Sequence, residues 1–285
     1  VGARNPSARP LSRGLSSTRR ADPELEAGTS AHYDDPAYYA RAYAKRTDDV
    51  RFYVEEAVGS GGPVLEYGCG NGRIALPTAR AGVETWGLDL SAPMLADLRA
   101  RLASEPRDVR ARVHVRRGRM ESARLRQRFA LVTCPFNGLL HLYDFRLFHA
   151  FLQRVRAHLA PGGRFLFDVS VPDPDELARD PAVPHGVPPF KYPTEQGDVL
   201  VRYRERFDYD AARQVLFVAM EFEPKNGSPG WMTPLAHRQY FPQELEALLY
   251  FGGFEFEERY ADFDRSPFDK SARHLVAVCR PRRGR

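Results

Sequence analysis

Residues 64–73, VLEYGCGNGR, constrain this chain more than any other stretch. A short apolar run ends on three glycines at alternate positions, Gly68, Gly70 and Gly72. Such a run, bounded by glycine, reads as a buried strand. Glycine tolerates positive φ where other residues resist it, so the chain can turn sharply straight after the strand. Residues 74–81 then read as a helix. A strand–turn–helix unit of this kind belongs to an α/β fold with a mostly parallel sheet, whose turns face ligands at the strand ends.

The alternation continues on both sides. Strands are predicted over 85–90, 113–115, 129–134 and 165–169, and helices over 49–58 and 145–159. Asp35-Pro36 opens an earlier helix, on which Tyr39, Tyr43 and Arg46 fall at spacings of four and three and share a face. Ser91 caps the helix after 85–90, with Pro93 in its first turn. Pro161-Gly162-Gly163 stops the helix over 145–159. The pattern breaks at 171–198, which is proline-rich and loop-like. Residues 199–207 and 215–222 then read as an antiparallel pair. The α/β pattern returns with a helix over 245–251 and strands over 254–260 and 274–279. Residues 171–240 are therefore an insertion, and 31–285 the main domain.

Charge narrows the function. The net charge is +5, but nine arginines sit within residues 1–20 and 280–285, leaving −4 on 21–279. An acidic body argues against nucleic acid, which needs a basic face on the domain itself. Residues 1–30, rich in Ser, Arg, Gly and Pro and without periodicity, read as a disordered basic extension. No apolar run approaches the length of a membrane span. Cys69, Cys134 and Cys279 are scattered, which suggests neither a disulfide framework nor a metal site, and the expected compartment is the cytoplasm. Lysine at only four positions among 42 basic residues points to a GC-rich, bacterial genome.

The glycine turn does not hold a dinucleotide, because the third glycine of G-x-G-x-x-G is replaced by Arg73. No Gly-Lys-Ser/Thr follows to make a phosphate loop. Asp89, ending the next strand, can accept both hydroxyls of a ribose. A ribose acid without a pyrophosphate cradle fits a nucleoside that carries no phosphate. S-adenosylmethionine is such a ligand, and its carboxylate can sit at the following helix N-terminus.

In order along the chain stand the turn Glu66-x-Gly68-x-Gly70-x-Gly72, the run Asp89-x-Ser91-x-x-Met94 and Leu159-x-Pro161-Gly162-Gly163. Together they resemble the class I S-adenosylmethionine-dependent methyltransferases over residues 36–170 and 236–280. The resemblance implies a Rossmann-like, mostly parallel seven-stranded sheet with helices on both faces, here with an inserted antiparallel β lid. It implies S-adenosylmethionine as cofactor, held by Glu66, Gly68, Cys69, Gly70 and Asp89. Leu90 and Met94 would flank the adenine. Where the family often has Gly-Asp-Met, this chain has Gly118-Arg119-Met120-Glu121. Arginine cannot accept a hydrogen bond from the adenine amine, so the Met120 backbone is the expected contact, with Glu121 or apolar packing as alternatives.

The loop Cys134-Pro135-Phe136-Asn137 lies where such enzymes transfer the methyl group. It differs from the N/D-P-P-Y/F form of base-amine methyltransferases and is similar to small-molecule relatives. Pro135 is assigned to the cofactor, and Phe136, Asn137, His141 and His237 to the acceptor. The helix of Tyr39, Tyr43 and Arg46 resembles that of amino-sugar and glycine-type N-methyltransferases. There Arg46 would meet the methionine carboxylate, and Tyr43 the sulfonium or the acceptor. Tyr43, His141 and His237 are candidate bases. The expected reaction is in-line methyl transfer to a small molecule, at nitrogen ahead of oxygen, with an RNA or protein methyltransferase as the alternative. The aromatic insertion, with Tyr203, Phe207, Phe217 and Phe222, would be a lid or a homodimer contact.

Overall fold

The computed structural model describes residues 22–282, so residues 1–21 of the expected extension lie outside it. The N-terminal part holds α1 (Pro23–Ser30), α2 (Pro36–Ala42) and α3 (Asp48–Gly59). Then come β1 (Val64–Tyr67), α4 (Ala75–Arg80), β2 (Thr85–Asp89), α5 (Ala92–Ala103), α6 (Arg107–Arg112) and β3 (Val113–Arg117). They are followed by β4 (Phe129–Cys134), α7 (Phe145–His158), β5 (Leu159–Ser170) and α8 (Pro174–Leu177). The insertion supplies β6 (His185–Thr194), β7 (Gly197–Asp210), β8 (Val215–Pro224) and β9 (Trp231–Arg238). The chain closes with α9 (Pro242–Phe251), β10 (Phe254–Tyr260) and β11 (His274–Pro281).

The seven-stranded sheet has the order β10-β11-β5-β4-β1-β2-β3. β1 to β5 pair in parallel, and β11 runs against both its neighbours. Both faces are covered, as parallel sheets require. Tyr67, Phe165 and Phe167 pack with Phe148 and Phe151 of α7 on one face. Leu131 and Leu166 pack with Phe52 and Tyr53 of α3 on the other. The chain runs outward from β1 to β2 and β3, then returns to β4 beside β1. That reversal opens a crevice at the carboxyl ends of β1 and β4, where ligands bind in such sheets.

Local chemistry starts the helices near this crevice. Asp35 accepts from Tyr38 N at 2.9 Å with Pro36 in the first turn of α2, and Ser91 accepts from Met94 N at 3.2 Å with Pro93 in that of α5. Each satisfies a backbone donor that the helix itself cannot.

Four sequence expectations need correction. Pro23–Ser30 is a helix, capped by Asp22, and not part of a disordered extension; Gly28 lets it approach Ala236 of β9 where any Cβ would collide. The stretch 171–198 contains β6, and the second sheet has four strands in the order β6-β7-β8-β9 rather than two. Prolines at 188, 189 and 193 hid β6, which sits at a sheet edge with a register shift between Val187 and Phe190, and edges and bulges both accommodate strand prolines. Pro161-Gly162-Gly163 does not follow the helix directly: α7 ends at His158, Leu159 is already extended, and the turn residues fall inside β5. Finally, α2 ends at Ala42, so Tyr43 is its C-cap and Arg46 lies beyond the helical face that Tyr39 occupies.

Candidate active site

β1 delivers the glycine turn into the crevice. Gly68, Gly70 and Gly72 have φ of 69°, 50° and 81°, where side chains are strained. A Cβ on Gly68 would stand in open space, and one on Gly70 would crowd the Met94 methyl at 3.1 Å. The turn is thus a bare backbone surface facing a cavity. Asp89 ends β2 across from it. Its Oδ2 accepts from Gly70 N at 2.7 Å and its Oδ1 from Ser91 N at 2.8 Å. Burial raises its pKa, and these amides pull it back. Each carboxylate oxygen keeps a lone pair for another donor. The cavity of about 310 Å³ is lined by Gly68, Gly70, Asp89, Leu90, Met94, Met120, Pro135, Phe136 and His141. A bare glycine turn, a half-buried carboxylate with lone pairs to spare and apolar walls fit a nucleoside of S-adenosylmethionine's kind.

At the far end of the cavity, Met94 is fully buried while Leu90 is exposed to the opening. Glu121 joins Met120 in the lining, and Arg119 Nε holds it at 2.6 Å from the outside. Both sequence candidates for the adenine contact, Met120 and Glu121, thus line the cavity, with Arg119 holding the Glu121 carboxylate. Replacing Glu121 by alanine should weaken S-adenosylhomocysteine about tenfold, the worth of one hydrogen bond to a charged group. Its 6-oxo analogue, S-inosylhomocysteine, should bind as before. Equal losses for both, measured by calorimetry, would return the adenine contact to the Met120 backbone.

Not every assigned residue reaches this cavity. Glu66 lies buried below the turn, and burial pushes its carboxyl up to about 8 against the pull of Arg73. The Cys69 side chain turns into the core beside Leu76, Leu95 and Leu98, which leaves only its backbone to the turn. Arg46 and Tyr43 line a second cavity of about 610 Å³, bordered also by Asn71 and Arg73. Arg46 Nε bonds to Asp49 at 2.9 Å, and Arg73 bonds to the same buried carboxylate at 2.8 and 2.6 Å.

The transfer loop is held in a costly conformation. Phe136 and Asn137 have φ of 54° and 62°, rare for residues with side chains. Asp168 fixes them: its Oδ1 accepts from Phe136 N and from the Tyr53 hydroxyl, both at 2.7 Å. The Asn137 side chain accepts from Ser170 N at 2.7 Å and donates to Ser170 Oγ at 3.1 Å. The Asn137 side chain is thus bonded within the loop and does not line the cavity, although it was assigned to the acceptor. Phe136 packs against the guanidinium groups of Arg46 and Arg73, at 4.9 and 5.1 Å, and against Tyr43 edge-on at 4.7 Å.

Beside the loop, three histidines gather from separate segments. His141 Nε2 lies 2.8 Å from the Tyr33 hydroxyl and its Nδ1 3.3 Å from the Tyr143 hydroxyl. His237, on β9, meets the His141 ring at 5.1 Å between centroids. It belongs to the second sheet and not to the final helix–strand unit. His32 Nε2 lies 3.1 Å from the Tyr43 hydroxyl. Burial lowers His32 and His141 to about 4, and His237 well below its ordinary value. Burial likewise raises Tyr43 to about 12. His32, Tyr33 and Tyr143 were missed from sequence. His-Tyr just before the Asp35-Pro36 helix start was the available signal.

The methyltransferase domain family matches residues 64–163. No functionally curated protein matches the sequence. The CcbJ methyltransferase from Streptomyces caelestis is 30% identical, with 82% of this chain and 95% of that one covered at a TM-score of 0.70. CalS10, an amino pentose methyltransferase from Micromonospora echinaspora, is 21% identical, with coverages of 85% and 96% and a TM-score of 0.63. The glycopeptide N-methyltransferase MtfA, complexed with S-adenosylmethionine, is 23% identical, with coverages of 84% and 87% and a TM-score of 0.59.

Proposed function

This chain belongs to the class I S-adenosylmethionine-dependent methyltransferases, and from that premise we propose that it methylates a nitrogen of a small molecule bound between its two sheets. S-adenosylmethionine supplies an activated methyl group when bound. The observation that carries the small-molecule reading is the cover over the transfer loop. The second sheet reaches His141 through His237, and Thr29 of α1 bonds to Tyr143 at 2.8 Å. α2 ties the far end of that sheet down, with Tyr38 stacked on Tyr192 at 4.9 Å. A loop roofed on two sides admits a compact acceptor more readily than a polymer, and we assign residues 171–240 the role of its lid. CalS10 and MtfA, whose acceptors are an amino pentose and a glycopeptide nitrogen, support the same reading.

Base strength favours nitrogen. A hydroxyl acceptor needs a general base near neutrality, whereas His32 and His141 are held at about 4 and Tyr43 at about 12. An amine brings its own lone pair and needs chiefly alignment. In this reading Asp89 holds the ribose and the glycine turn admits the backbone side of the ligand. The clamped loop, Tyr43 and the bonded pair of His141 and Tyr33 orient the acceptor.

The test is transfer from methyl-labelled S-adenosylmethionine into a cell extract separated by size. Label is expected among the small molecules. Label in the RNA or protein fraction would replace this acceptor class while keeping the cofactor.

A further inference from the structure

The second sheet has two unlike faces. On the outer face, Arg202, Arg204 and Arg206 of β7 pair with Glu221 and Glu223 of β8, so the acids there are matched. The inner face carries Tyr192, Tyr203, Phe207 and Phe222, packed against Tyr38 of α2. Alternation along β7 puts one charged residue, Glu205, on this aromatic side between Tyr203 and Phe207. Glu205 is half-buried. Among the described residues no cation pairs with it, and its hydrogen-bond partner is the Tyr203 hydroxyl.

Its place on the sheet is informative. The rung His185–Glu205–Met220–Thr233 follows the rung Tyr203–Phe222–Trp231. The inner face touches the rest of the protein at Tyr192, against α2, and at His237, against His141 beside the transfer loop. Glu205 lies along the face between those two contacts. Burial raises the pKa of the Tyr38, Tyr43 and Tyr203 hydroxyls, and the negative charge of Glu205 adds to each rise. Tyr43 in turn packs on Phe136 of the transfer loop.

A carboxylate without a counter-charge, set among tyrosine rings, is a receptor for an ammonium group. The acid offers charge-assisted hydrogen bonds and the rings offer their negative faces. A neutral hydroxyl gains much less from the same surroundings. We propose that Glu205 holds the acceptor's ammonium group and selects amines over alcohols. This rests on the nitrogen-methylation reading given above. The nitrogen sheds one proton to water before its lone pair attacks the methyl, and the carboxylate holds the remaining N–H groups.

The experiment uses the full chain, methyl-labelled S-adenosylmethionine and the small-molecule fraction of a cell extract. Products are passed over a cation exchanger at pH 7. The label should be retained as a cation. Glu205→Gln should raise the amount of extract needed for half-maximal rate about tenfold or more. Its affinity for S-adenosylhomocysteine should match wild type, which also reports correct folding. Glu223→Gln, on the outer face, should change neither. Label in a neutral product overturns the role of Glu205 and leaves the methyltransferase reading intact. So does an unchanged extract requirement in Glu205→Gln. Loss of S-adenosylhomocysteine binding in that variant makes Glu205 a structural residue and overturns its role as a receptor. No label in any small molecule overturns the reading on which the inference rests.

Discussion

Asp89→Ala loses S-adenosylmethionine binding by a factor of about 100 or more. The ribose would give Asp89 two hydrogen bonds to a charged group, each worth about 1.5–3 kcal/mol, and about 1.4 kcal/mol is a tenfold change in affinity. The variant also strips the acceptor from Gly70 N and Ser91 N, so the glycine turn and the start of α5 lose their common anchor. Calorimetric titration with S-adenosylmethionine measures the loss, and circular dichroism checks that the sheet survives. An affinity within about fivefold of wild type would mean that Asp89 supports the turn without touching the ligand.

The second large effect concerns stability. Asp49 is fully buried and is the shared counter-charge of Arg46 and Arg73. Asp49→Asn keeps the shape and removes the charge. Breaking a buried pair in this way costs about 3–5 kcal/mol, because the partner is left uncompensated. For a chain of this size that is roughly 6–20 °C in Tm. The effect has a defined pH dependence. Burial pushes the Asp49 carboxyl up, but the hydrogen bonds and charges of Arg73 and Arg46 outweigh it and hold its pKa below the ordinary 3.8. A carboxyl lowered by folding contributes stability above its unfolded pKa and loses it as pH falls through the folded one. The gap in Tm between wild type and variant should therefore be full at pH 7 and close in acid below that ordinary value. A gap under about 2 °C at pH 7 would show that the arginines find other partners or water.

The same charge cluster supports the active site. Arg46 and Arg73 both lean on Phe136, so Asp49 indirectly steadies the transfer loop. From sequence, Arg46 was expected to reach for the methionine carboxylate. The structure pairs its Nε with Asp49, a buried carboxylate three residues on that cannot be left unpaired.

Much of the cavity wall was legible beforehand. Gly68, Gly70, Asp89 and Met94, singled out by spacing and by resemblance, all line it, since each lies at the end of a strand or the start of a helix, where chain position and spatial position nearly coincide. The acceptor side was legible only in part. His141 was identified from its place after the transfer loop, but its neighbours Tyr33, Tyr143 and His237 come from three distant segments. No local pattern links them. Glu205 was passed over for the same reason: on β7 alone it is one acid in an alternating strand, and only pairing with β8 separates it from the matched acids of the outer face.

By itself, then, the sequence determined an α/β fold, where its glycine turn lies and that Asp89 ends the next strand, and its motifs resembled those of methyltransferases. Those properties depend on φ freedom, hydrophobic period and helix capping, interactions that span a few residues. Tertiary structure alone decided that residues 23–30 fold onto β9, that the insertion forms a four-stranded sheet whose His237 meets His141, and that Glu121, held by Arg119, joins the cavity lining. These depend on which surfaces meet, and a buried polar group takes the partner that packing brings to it, whatever its distance along the chain.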